Sequence, residues 1–279
     1  MAQLDTLDRF VIEDQLWVIS SRVGVSIYDF DFRQFFDCRT PYEPPSGISA
    51  IARIGAFDDY STFYSECSDV GIGLVNSPEQ YQRCTSLPVW YPLISDLTPR
   101  SKWFKGIPSF EELKSVFGLP VFVKGDRQTS KHKAEACIIR NREDYDRVIA
   151  IFKSDPILHW QDFVCRELLD LRKTSGGVEG KMPSSFEFRT FWWRGELVGD
   201  GRYWFESNPY DWTDSERSEA LNIAQEAVKR LDCPFVVIDL AQTVDGQWVI
   251  IECNDGMESG YAGASPFSMW RKIISLESN

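Results

Sequence analysis

The stretch that decides the fold is "FVVIDLAQTVDGQWVIIECNDG", residues 235–256, in which polar residues interrupt two apolar runs. The letters "VDGQ" between the runs predict a β-hairpin with Asp245 and Gly246 as its two loop residues, because Asp-Gly suits the positive φ angles of such turns. This turn places Asp239 directly opposite Glu252. Two carboxylates therefore face each other inside a hairpin whose remaining residues are typical of a protein core.

The opposed carboxylates require a positive partner, since like charges about 5 Å apart across a strand pair are destabilising. Side chains alternate between the two faces of a strand, so Asn254 joins Asp239 and Glu252 on one face. A metal bound through oxygen atoms would resolve the repulsion, and Mg²⁺ commonly uses one or two carboxylates together with phosphates and water. We interpret these three residues as candidate metal ligands. The alternative is that one of them ends a strand or pairs with an arginine or lysine.

Composition places the chain among soluble globular proteins, with 43% hydrophobic and 26% charged residues in 279. The net charge of −12 argues against nonspecific binding to nucleic acid or to anionic membranes. The N-terminus lacks the layout of a signal peptide, and no apolar run approaches the ~20 residues that a membrane helix needs. We expect a cytoplasmic protein with neither a nucleic-acid nor a membrane partner.

Cysteine and histidine usage excludes several kinds of site. The seven cysteines form no Cys-x-x-Cys pair, which indicates neither a disulfide framework nor a zinc site. We expect most of them to be small buried hydrophobes. The chain has only two histidines, His132 and His159, so Ser-His-Asp catalysis has little to build on.

A basic cluster stands out in this acidic chain, in "VKGDRQTSKHKAE", where one acid accompanies four basic residues, Lys124, Arg127, Lys131 and Lys133. Lysine is a compact point charge suited to phosphate oxygens, and a glycine-containing loop lets backbone amides approach an anion. The spacing is not that of a Walker A loop. The cluster is a candidate phosphate site, and the alternative is the solvated tip of a hairpin.

A second hairpin is predicted in "FEFRTFWWRGELVGDGRYWF", residues 186–205, with its turn at the central Arg-Gly pair. This turn opposes Glu187 to Arg202 and Arg189 to Asp200, and two such ion pairs can satisfy all four charges without any function. Glu187 and Arg189 nevertheless share one face of an aromatic strand. An arginine held by acids is well placed to bind a phosphoryl group during its transfer.

The remaining patterns mix helices and strands without strict alternation, which indicates an α+β protein. Helices are predicted at "PSFEELKSVFG", "NREDYDRVIAIFKSDP" and "TDSERSEALNIAQEAVKRLDCP", and strands at "PVFVKG", "EACIIR" and "ILHWQDFVCREL". The proline-rich stretch "PVWYPLISDLTPRSKWF" is interpreted as a connector. Residues 172–185, rich in glycine and serine, are either a lid or a disordered connector.

The order of these pieces resembles the ATP-grasp superfamily over about residues 100–265. It contains a strand-borne lysine, a second lysine, a strand leading into "REL", then "EFR", and finally the acidic hairpin with its Glu-x-Asn. The segment "EFRTFWWRGELVG" is similar to the clade that contains the assembly chaperones of eukaryotic translation initiation factor 2. The resemblance implies an α+β ATP-grasp fold, in which two subdomains clasp ATP, preceded by a smaller α/β domain. The implied boundaries are 1–100 for that domain, 101–166 for subdomain A and 167–279 for subdomain B.

The resemblance also implies roles for individual residues. Lys124 and one of Lys131 or Lys133 would hold phosphates, and the strand ending in "REL" would be the hinge. There the backbone near Glu167 and Leu168 would meet adenine, and Arg166 or Glu167 would add side-chain contacts. The implied catalytic residues are Arg189 and Lys131, Glu187 is a further nucleotide contact, and Asp239, Glu252 and Asn254 match the metal ligands.

The activity implied is that of an ATP- and Mg²⁺-dependent ligase. A carboxylate attacks the γ-phosphate of ATP, and an amine or another nucleophile then displaces phosphate from the acylphosphate. The expected partners are ATP with carboxylate and amine substrates, or a protein or peptide substrate. One alternative is an ATP-binding assembly chaperone without ligase turnover, and another is a kinase-like phosphotransferase.

Overall fold

A computed structural model describes residues 7–21, 30–42, 47–55, 59–127, 134–176 and 182–278. Within these ranges the strands form three sheets. The strands are β1 Leu7–Ile12, β2 Leu16–Ser21, β3 Cys38–Arg39, β4 Ile48–Arg53, β5 Ile72–Leu74, β6 Ser101–Phe104, β7 Val121–Gly125, β8 Ile138–Ile139, β9 Phe163–Glu167, β10 Glu187–Trp193, β11 Glu196–Arg202, β12 Phe235–Gln242 and β13 Trp248–Asp255. The helices are α1 Phe32–Phe35, α2 Tyr60–Asp69, α3 Pro78–Thr85, α4 Leu87–Ile94, α5 Phe110–Phe117, α6 Arg142–Ser154, α7 Asp214–Leu231 and α8 Pro266–Glu277. None of the helices in the described ranges is long and apolar enough to cross a membrane.

The first sheet has the order β3-β1-β2-β4-β5 and mixes parallel with antiparallel pairs. Its apolar residues do not form a separate core. They share one hydrophobic cluster with Trp193 of β10, Phe235 of β12 and Trp270 of α8. The N-terminal sheet is therefore packed against the sheet that contains the acidic hairpin.

The second sheet, β6-β9-β7-β8, is antiparallel throughout and has one apolar face. Val121, Val123 and Phe163 on this face pack against α5 and α6. Both helices begin as predicted, because Ser109 and Asn141 accept hydrogen bonds from first-turn amides. The opposite face carries Phe122 and Lys124, since side chains alternate along β7.

Two predicted strands in this region are shorter than expected. A 3₁₀ turn at Ala134–Ala136 leaves only Ile138–Ile139 of "EACIIR" as a strand. The stretch before Phe163 turns instead of extending, because the Asp155 carboxylate accepts hydrogen bonds from the amides of Ile157 and Leu158. The predicted boundary after residue 166 falls inside β9.

The third sheet, β11-β10-β12-β13, is also antiparallel and has α7 and α4 on one face. The predicted connector contains the helix α4, in spite of Pro88 at its start and Pro92 inside it. Leu87, Trp90 and Ile94 recur at helical spacing and are fully buried in the cluster that α7 contributes to. This apolar burial outweighs the hydrogen bond that Pro92 cannot make.

The hairpin of β12 and β13 keeps the predicted pairing although its turn differs. Gln242 pairs with Trp248, so five residues, 243–247, connect the strands, and the predicted two-residue turn is wrong. A β-bulge at Ile251 then shifts the register by one residue. Beyond the bulge Asp239 lies opposite Glu252, as predicted.

The hairpin of β10 and β11 shows the reverse outcome. Its turn is as predicted, with φ of 47° at Arg194 and 84° at Gly195. A bulge on β11, where Phe191 pairs with Gly199 but Trp192 with Leu197, shifts the register. The predicted pairs of Glu187 with Arg202 and of Arg189 with Asp200 are therefore wrong, because Gly201 lies opposite Arg189. Asp200 instead pairs with Arg217 of α7, and Arg189 lies opposite Asp239 of β12.

Candidate functional site

A charged row crosses three neighbouring strands of the third sheet, consisting of Arg189 on β10, Asp239 on β12 and Glu252 on β13. Arg189 donates from Nε and Nη2 to the two carboxylate oxygens of Asp239, both at 2.8 Å. Its Nη1 donates to the carbonyl of Gly260 at 2.8 Å. Burial by itself would lower the pKa of Arg189, but the Asp239 carboxylate outweighs it and raises that pKa.

Lys124 reaches this row from β7 of the second sheet. Its Nζ forms an ion pair with the Glu252 carboxylate, and the two side chains are 2% and 10% exposed. Lys124, Arg189, Asp239 and Glu252 form a four-charge network with two cations and two anions. The positive partners that the opposed acids require are thus a lysine and an arginine, the alternative left open by the sequence. The same two cations are the ones that the resemblance assigns to phosphates.

The residues on this face also fit a hard cation that shares its coordination with other molecules. Asn254 pairs with Val237 on the face that carries Glu252, and its Nδ2 atom is buried without a hydrogen-bond partner in the described part of the chain. Rotation of this amide presents its oxygen instead. Two carboxylates and an amide oxygen suit Mg²⁺ when phosphate and water complete its octahedron. Among the described residues no three His, Cys, Asp or Glu side chains cluster closely enough to form a metal cage.

A cleft of about 290 Å³ adjoins the charged row, and Ile251, next to Glu252, lines it. Its wall from the second sheet is one register row, in which Ile138 and Arg166 lie on either side of Phe122. Leu168 and Met182 continue the apolar lining. The predicted contacts Arg166, Glu167, Leu168 and Glu187 all line this cleft.

The Arg166 side chain is directed at β13 and at the segment that precedes β6. Its Nη1 donates to the carbonyl of Ile251 at 2.6 Å, its Nη2 to Thr98 Oγ1 at 2.7 Å, and its Nε to Ser101 Oγ at 2.9 Å. Burial lowers the pKa of this guanidinium to about 10, against the attraction of Glu252. Arg166 therefore remains charged at neutral pH.

The other predicted cleft residues differ in their surroundings. Glu167 forms an exposed ion pair with Arg100 at 3.1 Å. Glu187 is only 2% exposed, and its Oε2 accepts hydrogen bonds from Ser185 Oγ and Trp204 Nε1, both at 3.1 Å. Glu187 thus brings a buried, oriented carboxylate to the cleft, whereas Glu167 pairs at the surface.

Two predicted phosphate contacts, Lys131 and Lys133, lie outside the described residues, as do residues 177–181 of the glycine-rich loop. The described ends of that loop border the cleft. Lys173 and Ser185 form a β-bridge and both line it.

Sequence reasoning missed three contributors to this site. Phe122 had a signal, because it precedes Lys124 by two residues and so shares its face. Trp204 had none, since it follows the last residue of β11. Arg53, at the end of β4, is 3% exposed and donates to the carbonyls of Gly256, Met257 and Ser259 at 2.7–3.0 Å, so the N-terminal sheet holds the segment after β13.

Comparison with known proteins points in one direction. A family model described as an ATP-grasp domain, the third family of its clade, matches residues 109–273, which is more than half of the chain. No curated protein matches the sequence significantly.

Several solved structures share the fold. The VanG D-Ala:D-Ser ligase from Enterococcus faecalis is 18% identical with a TM-score of 0.58, covering 82% of this chain and 72% of its own. The D-alanine–D-alanine ligase from Bacillus anthracis, complexed with ATP, is 15% identical with a TM-score of 0.57, covering 82% and 78%. A RimK domain ATP-grasp protein from Sphaerobacter thermophilus is 11% identical with a TM-score of 0.55, also covering 82% and 78%. These likenesses confirm the predicted fold.

Proposed function

Since this chain belongs to the ATP-grasp domain family, we propose that it is an ATP- and Mg²⁺-dependent ligase. It would join a carboxylate to an amine or another nucleophile through an acylphosphate. The observation that carries this proposal is the four-charge network of Lys124, Arg189, Asp239 and Glu252 beside an apolar cleft. Solved structures with this fold that are described as ligases support the general class.

The cleft suits the adenine end of the nucleotide. Phe122, Ile138 and Leu168 supply apolar surface for a planar base, and the backbone near Glu167 and Leu168 supplies polar groups at its edge. Lys124 lies on the same face of β7 as Phe122. A nucleotide seated against Phe122 therefore extends its phosphates toward Lys124 and Arg189.

The network is suited to an exchange of partners when the nucleotide binds. Phosphate oxygens would replace the carboxylates as partners of Lys124 and Arg189, and Asp239, Glu252 and Asn254 would hold Mg²⁺. Because the network contains equal numbers of cations and anions, this exchange leaves no buried charge unpaired. Mg²⁺, when bound, would supply neutralisation of the phosphate charge.

The chemistry requires positioning and charge stabilisation more than a side-chain nucleophile. A substrate carboxylate oxygen forms a bond to the γ-phosphorus while the bond from that phosphorus to ADP breaks. An amine then attacks the acyl carbon, loses a proton and displaces phosphate. Arg189, fixed by Asp239 and by the Gly260 carbonyl, is placed to stabilise the transferred phosphoryl group.

The first test measures nucleotide binding. Asp239→Asn together with Glu252→Gln removes both negative charges and keeps the side-chain shapes. We expect titration calorimetry with a non-hydrolysable ATP analogue to show Mg²⁺-dependent affinity reduced at least about tenfold, or ~1.4 kcal/mol. The control is Glu196→Gln, an exposed acid at the start of β11. Unchanged Mg²⁺-dependent affinity in the double variant would count against the site.

The second test measures the reaction. Hydroxylamine replaces the amine substrate and traps an acylphosphate as a hydroxamate, so a panel of carboxylic acids, amino acids and short peptides can be assayed with ATP and Mg²⁺. A ligase gives hydroxamate and ADP in equal amounts with particular carboxylates. Tight nucleotide binding without turnover, together with a co-purifying protein, would instead favour the assembly chaperone.

A further inference from the structure

The bulge that brings Glu252 opposite Asp239 is bound from outside its own sheet. Strand β13 lies at the edge of the third sheet, so one side of its backbone is not paired with another strand of that sheet. At the bulge, the carbonyl of Ile251 accepts a hydrogen bond from Arg166 of β9, which belongs to the second sheet. Arg166 is thus a buried charged link between the hinge strand and the strand that carries Glu252.

The segment before β6 binds the adjoining residue. Ile250 donates its backbone N–H to the carbonyl of Leu97 at 2.8 Å, and its carbonyl accepts from Thr98 Oγ1 at 2.8 Å. Thr98 Oγ1 also accepts from Arg166 Nη2 at 2.7 Å. The carbonyls of both residues at the bulge are therefore held by one connected set of hydrogen bonds.

The position of this bulge decides the direction of the Glu252 side chain. Between the turn and the bulge, β13 pairs Ile250 with Leu240. Continued without a bulge, that register would place Ile251 opposite Asp239 and turn Glu252 to the other face of the sheet, because a one-residue slip exchanges the faces. The bulge residue has no partner on β12, so the ladder itself does not fix it.

We propose that Arg166 is a positioning residue, which holds the Ile251 bulge and thereby sets Glu252 on the face shared with Asp239. The side-chain contact to adenine that the resemblance implies is then not its role. The hydrogen bonds of its Nε, Nη1 and Nη2 to Ser101, Ile251 and Thr98 support this assignment. The effect on the metal rests on the proposed function, whereas the effect on strand register does not.

The test of register needs no ligand. Arg166→Gln removes the charged donor, and Thr98→Val removes the hydroxyl that joins Arg166 to Ile250. Hydrogen exchange of the amides in residues 248–255 is expected to speed up in both variants. The control, Arg142→Gln, removes an exposed arginine that pairs with Asp146 on α6 and should leave this exchange unchanged. If exchange in both Arg166→Gln and Thr98→Val equals that of the wild type, the proposal is overturned.

The test of consequence separates metal from nucleotide. Partners that orient a metal ligand typically change metal affinity on the order of ten- to a hundred-fold. We expect such a loss in Mg²⁺ affinity of the nucleotide complex for Arg166→Gln, with binding of the ATP analogue in EDTA within about twofold of the wild type. An equal loss of binding in EDTA would make Arg166 a nucleotide contact and overturn the proposal.

Two further outcomes remain interpretable. If Arg166→Gln fails to fold, Thr98→Val decides, because it weakens the same hydrogen-bond set without leaving a buried charge. If the wild-type chain shows no Mg²⁺-dependent nucleotide binding, the proposed function fails, and the exchange experiment alone still judges the register.

Discussion

Arg189 and Asp239 form a bidentate ion pair in which the aspartate side chain is fully buried. Such a pair contributes little net stability, since desolvation offsets much of its attraction, but removal of one partner leaves a buried charge unpaired. The pair therefore holds both groups in one geometry. That geometry keeps Arg189 on the face that the proposed phosphate site needs.

Arg189→Met should lower the free energy of unfolding by about 3–5 kcal/mol, because it strands the Asp239 carboxylate in the protein interior. Arg189→Met combined with Asp239→Asn should recover part of this loss, since neither remaining side chain is charged. Denaturant unfolding of the two single variants and the double variant measures the coupling.

The control is Arg194→Gln on the same hairpin, where a 53%-exposed arginine pairs with Glu277. This exposed pair should contribute at most about 1 kcal/mol. Equal losses for Arg189→Met and Arg194→Gln would contradict the burial argument.

At the scale of elements, both hairpins show how a bulge defeats arithmetic from a turn. The dipeptide "RG" identified its turn correctly, yet the bulge on β11 moved every pair beyond it. For β12 and β13 a wrongly assigned turn and the bulge at Ile251 cancelled, so Asp239 still pairs with Glu252. Bulges depend on contacts with other elements, and the pattern of two neighbouring strands does not contain those contacts.

The shift in β11 places a glycine where the chain must pass closely. A Cβ on Gly201 would lie 2.2 Å from the backbone nitrogen of Ala264. Gly201→Ala should therefore displace the segment that contains Gly260 and cost about 1–3 kcal/mol. Because the Gly260 carbonyl holds Arg189, we also expect weaker binding of the ATP analogue. Denaturant unfolding and titration calorimetry check these two effects.

Gly73→Ala is the matched control for this prediction. Gly73 also lies in a strand, and its added Cβ would meet only the Ile48 carbonyl oxygen at 3.6 Å, an ordinary contact. It should be neutral or gain a few tenths of a kcal/mol from reduced freedom of the unfolded chain. If Gly201→Ala is tolerated equally well, the close approach of the 263–264 backbone does not constrain the site.

At the scale of the whole molecule, the first and third sheets share buried polar contacts as well as a core. Asn76, which follows β5, donates to Asp255 at the end of β13 at 2.7 Å and to the carbonyl of Phe235 at 2.8 Å. Arg53 holds the segment that follows Asp255. The N-terminal sheet thus helps to fix the loop whose Gly260 carbonyl binds Arg189.

The Asp255 carboxyl should give folding a distinct pH dependence. Burial raises its pKa from 3.8 to about 6, so the folded chain retains this proton at a pH where the unfolded chain has released it. Its contribution to stability is full below about pH 4 and is lost as pH rises through about 6. The two-unit shift corresponds to roughly 3 kcal/mol.

Denaturant unfolding of the wild type and of Asp255→Asn between pH 4 and pH 7 measures this contribution. The difference in unfolding free energy, wild type minus variant, should fall as the pH rises across this range. A flat difference would show that Asp255 does not change its protonation on folding at these pH values.

The sequence by itself determined the α+β class, the helix starts at Ser109, Asn141 and Thr213, and the shared face of Asp239 and Glu252. These features depend on period, capping and turn chemistry, which neighbouring residues contain. Only the tertiary structure decided that Arg189 holds Asp239, that Lys124 meets Glu252, and that Arg166 fastens the bulge. Each of these contacts joins strands distant in the sequence, and which charges meet depends on how separate sheets pack and where their ladders slip.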